Sequence, residues 1–183
     1  MNKNIKLLIN NLPKFKSNIN RLITKDVYVG VPSEDTDRQD SNEPTNATIA
    51  YINDNGSPAQ NIPARPFMKP GIERAKKDIE KAMEIGARAC LDGVEDAVDI
   101  ALHKVGLIAQ RSIRNRINEG IEPPLAEATL KARIRANRAA KGAREELARR
   151  EAGLMPSSTV SAKPLIVTGQ LRNSINYVIR DKK

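Results

Sequence analysis

Apolar residues at Ile5, Leu8, Ile9, Leu12, Ile19, Leu22 and Ile23 recur every three or four positions, the spacing that lines one face of a helix. Pro13 interrupts this run, so one helix or two short ones are predicted. From Asp26 to Val31 the period changes to two. Val27, Val29 and Val31 alternate with Tyr28 and Gly30, which predicts a strand ended by Pro32. Residues 33–45 are polar and acidic and read as a surface loop, and Ala47 to Asp54 reads as a short helix capped by Thr45 or Asn46.

The strongest periodicity runs from Ile72 to about Asn118. An unbroken helix of that length measures on the order of 70 Å. Gly86, Gly93 and Gly106 fall inside it, and a seven-residue step from Ile72 through Ile79, Gly86 and Gly93 to Ile100 carries small residues on the apolar stripe. The expected role of these glycines is close packing of another backbone, with a kink or break as the alternative.

Proline punctuates the rest. Pro58, Pro63, Pro66 and Pro70 make residues 55–70 an extended arm, because proline removes a backbone donor and clashes with a preceding helical turn. Gly120 to Pro124 ends the long helical region. Leu125 to Glu151 is a second helical stretch, basic and thin in apolar residues, predicted to project as a helix or hairpin around residues 122–152 and to add little to the core. The chain closes with a turn or cap at Thr168-Gly169 that folds Leu171 and Ile175 back onto the core, and a strand over Ser174 to Arg180.

These elements predict an α+β fold: a long central helix or helix pair, a small antiparallel sheet and a projecting basic helix, in a single domain over 1–183. Aromatic residues are only 3% of the chain, which leaves the core to Ile, Leu, Val, Ala and Met. The chain holds 31 Lys and Arg against 22 Asp and Glu, a net charge of +9, so an acidic protein surface or nucleic acid is the expected neighbour. The charge is polarised: Asp26 to Glu43 holds six acids and one base, and Arg111 to Arg150 eleven bases and five acids. Acidic and basic ends of neighbouring subunits can therefore meet.

Candidate chemistry is sparse. A lone Cys90 cannot form an internal disulfide and reads as a buried helix residue. The one histidine, His103, sits in a helix and reads as packing or surface. Asp35, Asp37 and Asp40 lack the glycine and distal Glu of a calcium loop, and no phosphate loop, dinucleotide fingerprint or zinc-ligand cluster is present. No enzyme activity, cofactor or metal is expected. No secretory leader or membrane span is expected either. The basic run Lys131, Arg133, Arg135, Arg138, Lys141, Arg144, Arg149 and Arg150 keeps DNA binding open, although aromatic residues for base stacking are scarce.

Three stretches carry a family likeness. Asn61-Ile62-Pro63-Ala64-Arg65-Pro66-Phe67, preceded by Tyr51-Ile52-Asn53-Asp54-Asn55-Gly56, resembles a signature of tailed-bacteriophage tail-completion, neck and minor tail-component proteins. Pro123-Pro124-Leu125 with Thr129-Leu130-Lys131, and Pro164-Leu165-Ile166-Val167-Thr168-Gly169-Gln170-Leu171-Arg172-Asn173-Ser174-Ile175, resemble the later signatures of the same family, in the same order. Asp54, Asn55 and Val167 depart from its usual residues. The resemblance implies a structural virion protein of the head-to-tail junction, made in the host cytoplasm. It also implies a ring of six or twelve copies joining connector, tail terminator or tail tube, with at most weak contact to channel DNA. The alternative is a DNA-binding or chaperone-like morphogenesis factor absent from the virion. The expected interaction residues are Arg65 and Phe67 on the proline arm, Arg133, Arg135 and Arg138 on the basic helix, and Leu171.

Overall fold

A computed structural model describes residues 13, 16–32, 44–94 and 96–182. In chain order these form α1 (16–24), β1 (Lys25–Gly30), α2 (Asn46–Asn55), a 3-10 turn (Pro58–Gln60), α3 (Met68–Leu91), α4 (Ala97–Glu119), α5 (Glu127–Arg135), α6 (Ala140–Glu151), α7 (Gln170–Ser174) and β2 (Asn176–Asp181). Among the described residues the fold is α+β, mostly helical with one two-stranded antiparallel sheet, and α3 packs closely on α4. The stretches containing Ile5 to Leu12 and most of the acidic loop, with Asp35, Asp37 and Asp40, lie outside the described residues.

The long helical region is a pair of helices and not one. Gly93 supplies the break. It adopts φ +78°, donates its N–H to Cys90 O, and lets Val94 donate to Ala89 O, the paired bonds that close a helix through a left-handed residue. Of the three glycines, Gly86 fulfils the packing expectation, because a Cβ there falls 2.2 Å from Ala101 Cβ. The inward face of α3 is composed of Gly71, Ala75, Ala82, Gly86 and Cys90, whereas Ile72 and Ile100 of the seven-residue step are exposed. Small residues here let two backbones approach closely.

The residues group into two compact units, and each long helix contributes to both. The first comprises the described parts of 1–29, 75–110 and 177–183. Its core is Cys90, Ala97, Val98 and Leu102, with Leu22, Val27, Met83, Ala89 and Ile179 packed against it. Asp99, in the first turn of α4, pairs with Lys25 at 2.7 Å and Arg21 at 3.1 Å. The Lys25 hydrogen bond is the main reason the Asp99 carboxyl is held below its ordinary range. Tyr177 lies where a Gly106 Cβ would stand, and its hydroxyl is 3.1 Å from His103 Nδ1.

The second unit comprises the described parts of 30–74 and 111–176. Thr45 caps α2, accepting from Thr48 N as its sequence position predicts. The proline arm ends earlier than expected. Met68 already begins α3, and Pro70 is accommodated because the first helical turn needs no N–H at that position. Asp54 at the end of α2 accepts from Phe67 N at 2.7 Å and Met68 N at 3.0 Å, filling donors that the start of a helix leaves unpaired. Leu125 to Glu151 is two helices with a turn at Asn137, which takes φ +50°. The basic hairpin carries an apolar cluster of its own. Leu125, Leu130, Ala143 and Ala162, with Ile134 and Leu147 against them, form an apolar cluster beneath it. A few well-placed side chains suffice because two short helices face each other.

Candidate interaction site

Phe67 is fully buried, and the arm around it is fixed by backbone bonds. Arg65 N donates to Asn53 O at 2.7 Å, and Ser57 and Ile62 bridge in antiparallel fashion across the 3-10 turn. The Arg65 side chain, 6% exposed, turns inward. Its Nε and Nη2 donate to Pro123 O at 3.0 and 2.9 Å, and Nη2 also reaches Pro124 O at 3.4 Å.

Arg133 repeats this arrangement from α5. Its Nη2 donates to Pro164 O at 2.8 Å, and its Nη1 to Lys163 O at 3.2 Å and Ile166 O at 3.3 Å. A planar guanidinium can serve several carbonyls at once, which an ammonium cannot do with the same geometry. Together the two arginines join the segments containing Arg65, Pro123-Pro124 and Pro164-Leu165-Ile166. Each guanidinium pKa is lowered, by burial in both cases; Glu122 counteracts this for Arg65, and the neighbouring positive charge of Arg65 adds to it for Arg133.

A third buried charge stands on α6. Glu146 is fully enclosed and accepts from Arg150 Nε at 3.0 Å, Ser157 N at 2.8 Å and Ser161 Oγ at 3.0 Å. Burial alone raises a carboxyl pKa, but these donors outweigh it and hold Glu146 below its ordinary range, so it is ionised. Sequence reasoning did not single it out. The visible signal was the four-residue step from Glu146 to Arg150 on one helix face.

The expected interaction residues therefore divide. Phe67, Arg65, Arg133 and Leu171 are interior to the unit, while Arg135 and Arg138 are exposed. Arg133 is the clear correction: it does not belong to the exposed basic face, because helix periodicity turns it toward three carbonyls. Arg149 and Arg150 are likewise half-buried beside Glu146. The face that remains is Arg135, Arg138, Lys141 and Arg144, none paired with a carboxylate among the described residues, whereas Lys131 pairs with Glu127 at 2.5 Å.

Between the arm and α5 runs a cleft of about 640 Å³. Ile62, Pro63, Pro124 and Pro164 give it apolar walls, and Arg65, Arg133 and Arg138 line it with positive charge. Among the described residues no group of His, Cys, Asp and Glu is arranged to hold a metal ion, and no helix is long and apolar enough to cross a membrane. No family model matches the chain, and neither the curated proteins nor the solved structures compared with it provide a match.

Proposed function

We propose that this chain is a structural protein of the head-to-tail junction of a tailed bacteriophage, assembling as a ring that joins connector and tail. One observation carries the reading. The three stretches that resemble tail-completion and neck proteins are far apart in sequence, yet Arg65 and Arg133 bind them into one site. Such motifs serve an architecture when their carbonyls and prolines are what the buried arginines hold. The prolines also restrict the unfolded arm, so a rigid surface is presented at lower entropic cost.

The exposed bases on the α5–α6 hairpin favour one alternative, a DNA-binding morphogenesis factor. Labelling intact particles with antibody against this chain tests the choice. The proposal expects label at the junction of head and tail; particles that infect normally and carry no label overturn it.

A further inference from the structure

The cleft beside Arg65 has a charge balance that its carbonyl cross-links explain only in part. Its lining contains three arginines and no Asp or Glu. Arg65 is 6% exposed and Arg133 8%, and neither forms an ion pair with a carboxylate among the described residues. Their carbonyl partners satisfy N–H groups but carry no formal charge; Glu122 partly offsets Arg65 without forming an ion pair with it, and no carboxylate offsets Arg133 among the described residues. Arg65 Nη1 donates to no group among the described residues. Two like charges in one wall, with Arg138 exposed on the same cleft, favour an anion placed between them.

The rest of the lining indicates what bears that anion. Pro63, Pro124, Pro164 and Val167 offer apolar contact, and Asn53 and Asn61 offer amides. An extended peptide supplies all three complements: carboxylates for the arginines, small apolar side chains for the proline walls and a backbone for the amides. Duplex DNA supplies phosphate but nothing for the apolar walls of a concave cleft. We infer that this cleft is a docking site for a short acidic segment of an adjoining protein, its carboxylate seated against Arg65, Arg133 and Arg138. The inference deepens the proposed junction role by giving the chemistry of a neighbour's contact, and rests on that role for the neighbour's presence.

The test uses the full chain and a short synthetic peptide alternating aspartate and alanine, beside its asparagine counterpart, a short DNA duplex and inorganic sulfate, each followed by calorimetry. The arginines that hold the fold are left intact. Ala132→Glu, at an exposed cleft position on α5, introduces a repelling carboxylate, and Arg138→Gln removes one positive charge. The expected result is binding of the aspartate peptide that weakens with salt, drops about tenfold in either variant and is absent for the asparagine peptide. Circular dichroism of both variants should match the unmodified chain. Equal binding of the asparagine peptide, unchanged affinity in both folded variants, or a preference for DNA or sulfate alone overturns the inference. Presence of the chain in particles without peptide binding removes this inference and leaves the junction role. Peptide binding by a chain absent from particles does the reverse.

Discussion

Arg133 Nη2 lies 2.8 Å from the carbonyl oxygen of Pro164, thirty-one residues further along the chain, and this bond ties the basic hairpin to the closing segment. Hydrogen bonds to a charged donor contribute about 1.5–3 kcal/mol, and truncation also leaves carbonyls buried without partners. Arg133→Ala is therefore expected to lower the unfolding free energy by about 3 kcal/mol, read by urea denaturation. Arg133→Lys keeps the charge but not the fork of donors, and is expected to recover less than half of the loss.

The glycines separate two mechanisms. At Gly86 a methyl group meets Ala101 at 2.2 Å, so Gly86→Ala must force α3 and α4 apart, at about 1–3 kcal/mol. At Gly153 nothing lies within 4 Å, yet φ is +78°, so Gly153→Ala costs only the left-handed strain of an L residue, about 1 kcal/mol. Thermal unfolding of both variants checks the order. A smaller effect at Gly86 than at Gly153 contradicts the close helix contact.

Glu146 predicts an acid-sensitive contribution. Its carboxyl is held below the ordinary value of 4.5, so the folded chain binds that proton less readily than the unfolded chain. The stabilisation is complete above that value and is withdrawn as pH falls through the lower folded value. Between about pH 6 and pH 3, the unmodified chain should lose more stability than Glu146→Gln. Asp99 acts in the same direction in both proteins, so the difference between them isolates Glu146. Denaturant midpoints over this range that fall in parallel contradict the assignment.

The double substitution Arg135→Glu with Arg138→Glu reverses two exposed charges without touching the buried arginines. It is expected to fold with unchanged circular dichroism and to block joining of heads to tails, because charge at an assembly contact mainly selects and orients partners. Normal joining, with duplex DNA binding abolished, favours the DNA-binding alternative.

The elements were largely legible from period alone. Val27 and Val29 alternate within β1, which starts and ends one residue earlier than expected and so leaves Val31 outside it, and Thr45 caps α2. Two points that the sequence leaves ambiguous share a cause. Gly93 lies on the same apolar stripe as Gly86, so periodicity cannot tell a helix-packing glycine from a helix-ending one; only its φ of +78° does. Arg133 looks like its neighbours Arg135 and Arg138 in composition, and only the partners brought by folding, the carbonyls of residues 163–166, distinguish it. Asp54 illustrates the opposite case: its cap on Phe67 and Met68 depends on a loop returning the chain, which no local pattern reports.

The most direct test of the proposed junction role is quantitative protein analysis of purified, infectious particles of the tailed phage that the proposal requires as the source of this chain. The account predicts the chain at a small fixed copy number per particle, six or twelve, retained after separated tails and full heads are removed. Its absence from such particles, with the protein found only in lysate fractions of unassembled components, would contradict the account and leave the morphogenesis factor in its place.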